Sequence, residues 1–150
     1  MPVQTQFSIF LVNKPGVLAA VTGALAKSKV NLLALSLSDS GEHGVLRILT
    51  DDPAATREVL AHTHDRWTET DVLVLDLDNR PGSFAHVAQL LADDHINILY
   101  AYCTGGSPRG RTTAVFKVAD LKKAEKAAAA HRPEHKDDKG TVKGPPSHGA

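Results

Sequence analysis

Apolar residues recur along this chain with two alternating periods, and the order of those periods predicts its elements. Phe7 to Val12 reads as a strand, with Phe7, Ile9 and Leu11 on one face and Phe10 and Val12 on the other beside Ser8. Apolar residues on both faces predict a central strand covered on both sides. From Pro15 to about Lys29 the period is helical, with Leu18, Val21 and Leu25 in one stripe and Ala24 beside it. Val30–Ser38 and Gly44–Thr50 return to the strand period, and Ser40-Gly41-Glu42 between them predicts a hairpin turn. Asp52 as cap and Pro53 as first residue open a second helix, which runs to about His62 and buries Val59 and Leu60. A short fourth strand is expected at Arg66–Thr68, around Trp67.

The plan then repeats. Asp71–Asp78 is a strand with Leu73, Leu75 and Leu77 on one face. Pro81 to about Asp94 is a helix with Phe84, Val87 and Leu91 on its buried stripe. Ile96–Thr104 and Arg111–Val118 are strands around the loop Gly105–Gly110, and Asp120 caps an alanine-rich helix through about Ala130. The polar stretch from His131 to Ala150 is expected to be a disordered tail, and Thr141-Val142-Lys143 within it is a poor strand candidate. The fourth strand of the second unit is therefore missing, which leaves one sheet edge unexplained.

An offset of 66 residues lays Asn13-Lys14-Pro15-Gly16 on Asn79-Arg80-Pro81-Gly82, and Asn31 on Asn97. The expected fold is α+β: two ferredoxin-like β-α-β-β-α-β units in tandem, antiparallel sheets with the helices on one face. Residues 1–69 and 70–130 are the expected domains, followed by a tail at 131–150. If the Leu-rich faces meet the helices, Phe10, Val12, Val72 and Val74 point to a bare sheet face. Such a face predicts a partner surface, between the units or between chains, and hence a homodimer.

Composition narrows the function classes. Seventeen basic and 17 acidic residues balance, so no strong field attracts nucleic acid or an anionic membrane. Cys103 stands alone and supports no intrachain disulfide. No apolar run approaches the ~20 residues of a membrane span, and Met1–Gln6 lacks the pattern of a secretory signal. A cytoplasmic protein is expected. His62 and His64 flank Thr63 in poor geometry for a shared metal, and Pro133 separates His131 from His135. Gly105–Arg111 lacks the Lys-Ser/Thr of a phosphate-binding loop. No catalytic residue, metal or cofactor is expected. Tyr100 and Tyr102 share a strand face and line either a pocket or interface or a packed sheet face.

The candidate chemistry lies in the repeated loop. Proline suits the first turn of a helix, and glycine lets a ligand approach the backbone. The free N–H groups of that turn and the helix dipole favour a carboxylate. Asparagine adds side-chain donors and acceptors.

On these residues the sequence resembles the ACT domain family in tandem. The resemblance rests on Phe10–Leu18 with Val30-Asn31-Leu32, and on Leu75–Phe84 with Ile96-Asn97-Ile98. It implies a free-standing, non-catalytic regulatory module that binds a small ligand, most often an amino acid, where the loop of one domain faces the second strand of another. Carried over, it implicates Asn13, Gly16, Val17, Leu18 and Asn31, and Asn79, Gly82, Ser83, Phe84 and Asn97. It also implies a metabolic enzyme as partner. The alternative is a structural regulatory subunit, resembling the small subunit of acetolactate synthase, with no ligand of its own. Phe84 is larger than its counterpart Leu18, so the two loops are expected to differ.

Overall fold

The computed structural model describes residues 2–63, 65–105 and 110–131. His64, the middle of the expected 105–110 loop and the expected tail from residue 132 onward lie outside the described residues. The described residues form ten elements. These are β1 (Val3–Val12), α1 (Val17–Lys27), β2 (Leu32–Ser40), β3 (His43–Thr50), α2 (Pro53–Thr63), β4 (Arg66–Asp78), α3 (Ser83–Asp93), β5 (Ile98–Cys103), β6 (Arg111–Val118) and α4 (Leu121–Ala128). The two tandem ferredoxin-like units share one six-stranded antiparallel sheet, in the order β2-β3-β1-β4-β6-β5.

β4 joins the units. The strands expected at Arg66–Thr68 and Asp71–Asp78 are a single strand of 13 residues, because the polar Glu69 and Thr70 continue the ladder on β1. Its first part is the fourth strand of unit one. Its second part, paired with β6 from Leu73 to Asp78, is the first strand of unit two. β1 also begins earlier than expected, at Val3, and pairs there with Leu73. The sheet edge expected to stand open beside unit two is therefore occupied by the start of β1. Further along, the His131 ring N–H donates to the Asp76 carbonyl at 2.9 Å.

Each unit keeps its own core on the helix side of the sheet. Phe7, Ile9 and Leu11 pack with Val21 and Leu25 of α1 and with Val59 and Leu60 of α2. Leu73, Leu75 and Leu77 pack with Val87 and Leu91 of α3 and with the alanines of α4. Asp52 and Asp120 cap α2 and α4, accepting from the amides of Ala55 and Lys123 at 3.0 and 3.1 Å. The repeat offset of 66 grows to 68 at β3, since Phe7 faces Ile48 where Leu73 faces Phe116. The two extra residues lie in the β5–β6 connection.

The opposite sheet faces meet each other. In a flat sheet β3 and β5 would lie four strand spacings apart, about 19 Å, yet the Arg47 guanidinium stacks on the Tyr100 ring at 4.1 Å. The sheet is curled. Ala34 and Leu49 of unit one pack against Val72, Val74 and Val115, with Tyr102 at the margin. Gln6, fully buried, donates to Tyr100 Oη at 2.7 Å and accepts from Tyr102 Oη at 2.8 Å. The tyrosine pair thus lies in an interface between units, and the bare face expected of Val72 and Val74 is covered within the chain. Coverage stops short of Phe10 and Val12, which remain 42% and 48% exposed, so β1 is central but not covered along its whole length.

Candidate ligand-binding loops

Both loops are built the same way, and differently from the expected proline-first helix. Pro15 and Pro81 lie before their helices; Gly16 and Gly82 are the N-caps, at φ +88° and +90°. Only glycine takes that left-handed conformation without a Cβ penalty, so the repeated glycine is a backbone requirement. A glycine cap has no side chain to satisfy the first turn. The amides of Leu18 and Ala19, and of Phe84 and Ala85, have no hydrogen-bond partner among the described residues. Those N–H groups and the positive ends of α1 and α3 are available to an anion.

The surroundings of the two loops differ. Beside the second loop lies a hollow of about 430 Å3, lined by Asn79, Arg80, Ser83, Phe84, Cys103 and Thr104. Phe84 does not fill it: its ring stacks on Phe116 at 5.3 Å and forms one wall. Partial burial pushes the Cys103 thiol pKa up, which disfavours a thiolate. Beside the first loop lies a hollow of about 370 Å3, with Gly16, Val17, Thr63 and Asp65 in its lining. Thr63 donates to Asp65 Oδ2 at 2.6 Å. Val17 and Asp65 also line a larger hollow, about 620 Å3, around Phe10 and Trp67. Leu18 packs onto the core of unit one and Asn13 is exposed; neither lines these hollows.

Asn31 and Asn97 are not brought to the loops of their own units. The 11-residue α1 spans about 16 Å, and Asn31 stands at its far end, anchored by its amide to Asp51 Oδ1 at 2.9 Å. Asn97 accepts from the Ala119 amide at 3.0 Å in the corresponding place. Because β1 and β4 run antiparallel, Asn31 lies at the same end of the sheet as the Asn79 loop, and Asn97 at the same end as the Asn13 loop. Among the described residues neither Asn lines these hollows at the other unit's loop.

This duplicated β-α-β-β-α architecture, with a glycine-capped loop after the first strand of each unit, agrees with a family model for an ACT domain pair that matches residues 1–141. The chain belongs to the ACT domain family. Among solved structures, protein BT0572 from Bacteroides thetaiotaomicron is 31% identical, with a TM-score of 0.78 over 85% of this chain and 88% of that one. The regulatory subunit of aspartate kinase from Thermus thermophilus, in a ligand-free form, is 16% identical, with a TM-score of 0.64 over 83% and 89%. The corresponding subunit from Thermus flavus is 19% identical, with a TM-score of 0.52 over 86% and 94%. At these identities the two kinase subunits share the fold with this ACT pair. No match was found among curated proteins.

Among the described residues no group of three or more His, Cys, Asp or Glu side chains is placed to hold a metal ion. His62 Nδ1 instead lies 2.8 Å from the Glu58 carbonyl, one helical turn away. No described helix is long and apolar enough to cross a membrane. Two features escaped the sequence reading. One is the curl that joins Gln6 to Tyr100 and Tyr102, whose only signal was a polar residue next to the apolar run of β1. The other is a β-bulge at the same place in both units, Leu32/Ala34 and Ile98/Tyr100, which leaves Leu33 and Leu99 exposed.

Proposed function

We propose that this ACT domain pair is a non-catalytic regulatory module that binds a small ligand, an amino acid, at its glycine-capped loops. The observation that carries this reading is the pair of uncapped helix starts, each with unpartnered amides and each beside a hollow. The ligand carboxylate would lie on the amides of Leu18 and Ala19 or of Phe84 and Ala85. The ammonium would meet the side-chain oxygen of Asn13 or Asn79. At the second loop Ser83 and the ring of Phe84 border the hollow, and the wall of Phe84 suits an apolar ligand side chain. Binding would favour one arrangement of the loops and so alter affinity for a metabolic enzyme. Asn31 and Asn97 would join a site supplied by a neighbouring domain, in a homodimer. The units 1–69 and 70–130 would be the two ligand-responsive halves.

A second reading is favoured by the free edge of the sheet. Leu33, Leu35 and Leu37 of the edge strand β2 are 40%, 39% and 50% exposed. An exposed apolar edge suits a protein partner, so a structural subunit with empty loops is the alternative. Titration calorimetry with the common amino acids separates the two. Under the first reading at least one binds, and Asn13→Ala or Asn79→Ala weakens it by the loss of one hydrogen bond, roughly 0.5–1.5 kcal/mol. Under the second none binds, and a partner protein copurifies.

A further inference from the structure

The larger of the two hollows described beside the first loop is not at the helix start itself. It is a notch at the end of the β1–β4 ladder. The last pair of that ladder is Phe10 opposite Arg66, whereas β1 continues on its other side with Leu11 and Val12 paired to Gly44 and His43. β1 therefore outruns the described β4 by two residues, and a hollow of about 620 Å3 borders that step. That lies within the ~300–1,000 Å3 typical of small-molecule sites.

Its lining is apolar with one charge of each sign. Phe10 and Val12 supply apolar surface on the sheet face that Arg66 shares, since Phe10 pairs with Arg66. Trp67, paired with Ile9 and packed on the core of unit one, borders the hollow from the helix side with Leu11 and Val17. Asp65 directly precedes Arg66. These two do not pair with each other. The Arg66 side chain makes no ion pair or hydrogen bond among the described residues. Asp65 is held from one side by Thr63 Oγ1, which orients the carboxylate and leaves its other oxygen without a described partner.

Among the described residues the notch has no counterpart in unit two. The positions equivalent to Phe10, Val12 and Val17 are Asp76, Asp78 and Ser83, so the apolar wall becomes acidic and polar. The place beside Asp76 is taken by the His131 ring on its carbonyl.

Resting on the reading of this chain as an amino-acid binder, we infer that the notch is a ligand site for a free α-amino acid with an apolar side chain. Its carboxylate meets Arg66, its side chain lies on Phe10 and Val12 on the same face, and its ammonium reaches Asp65 at the end of the ladder, with Trp67 bordering the notch from the helix side. An ion pair with each end requires both charges of a zwitterion, which sets an amino acid apart from an apolar acid or an apolar amine of the same shape.

Trp67 is the sole tryptophan of the chain, so it reports on the notch directly. The experiment titrates L-leucine and L-phenylalanine, with phenylpropionate and phenethylamine as single-charge analogues, and reads tryptophan fluorescence and calorimetric heat. Circular dichroism of each variant checks its fold. The expected result is saturable quenching or a spectral shift with at least one of the two amino acids, and at least tenfold weaker binding of both analogues. Arg66→Gln and Phe10→Asp, the latter importing the residue of unit two, each weaken binding at least tenfold; Lys122→Gln, at an exposed position of α4, changes it less than twofold. If an apolar amino acid binds but Arg66→Gln and Phe10→Asp leave its affinity within twofold while Asn79→Ala lowers it, the notch is overturned and the loop reading stands. Binding of polar amino acids alone has the same meaning. If no amino acid binds, both fall.

Discussion

Thr5 and Asp71 stand directly opposite each other in the β1–β4 ladder, and they are also the same position of the two repeats. A pseudo-twofold axis therefore passes between them. Each unit's first strand is completed by the beginning of the other's, since Val3–Gln6 pairs with Thr70–Leu73. The same axis sends the two glycine-capped loops to opposite ends of the sheet.

That shared ladder makes the units interdependent. We expect fragments 1–69 and 70–131, expressed separately, to lack a cooperative thermal transition, because the cut divides β4 and exposes the cluster around Val72, Val74 and Val115. Units this small bury little surface when alone. A sharp melt of fragment 1–69 near that of the intact chain would contradict this.

The polar bridge across the curl has its own signature. Gln6→Leu leaves the hydroxyls of Tyr100 and Tyr102 without their Gln6 partner, and should cost about 1–3 kcal/mol in denaturant unfolding. A loss below the error of the measurement would mean that water replaces Gln6.

Tyr102 predicts a pH dependence. Burial pushes its pKa well above the ordinary 10.0, the neighbouring Tyr100 adds to the rise, and Arg47 partly opposes it. The folded state therefore favours the neutral phenol. That contribution is fully present below the unfolded pKa and is lost as pH rises from about 10 towards the folded value. Stability should fall steeply above pH ~10, and less steeply in Tyr102→Phe. Equal alkaline slopes in both proteins would refute it.

Four backbone positions separate conformational effects from contacts. Gly16 and Gly82 are left-handed with open space where a Cβ would sit, so alanine at either meets no atom and should cost about 1–2 kcal/mol from conformation alone. Lys29 and His95, at φ 59° and 57°, end α1 and α3 in the same left-handed state. There Val30 and Ile96 donate back to Leu25 and Leu91, with both residues of each pair in the cores. Lys29→Gly and His95→Gly should each stabilise by up to about 1 kcal/mol. Melting temperatures of the four variants check both signs.

The repeat, both helix pairs and the positions of the two loops were legible because each rests on local rules: periodicity, capping residues and Pro-Gly punctuation; that glycine and not proline begins each helix was not. The curl was not, since it depends on Gln6 meeting tyrosines 94 and 96 positions away. Nor was the continuity of β4, because Glu69 and Thr70 carry no apolar alternation although their backbones pair in full. Within the candidate site, sequence equivalence placed Asn13 and Asn79 in matching loops. It did not reveal that Asn31 and Asn97 stand across the sheet from them, because strand direction within a shared sheet is a global property. Arg66 read only as the start of a short strand, and nothing in the sequence singled out Asp65; their place beside a hollow follows from where β4 starts relative to β1.

The most direct test of amino-acid binding is the melting curve of the intact chain with each common amino acid at about a hundredfold excess over a micromolar Kd. A ligand bound only by the folded state would then stabilise by about 2.7 kcal/mol, a shift of several degrees for a chain of this size. The account predicts such a shift with at least one amino acid, reduced when Asn13 and Asn79 are both replaced by alanine. Melting curves unmoved by every amino acid, even at millimolar concentration, would contradict it.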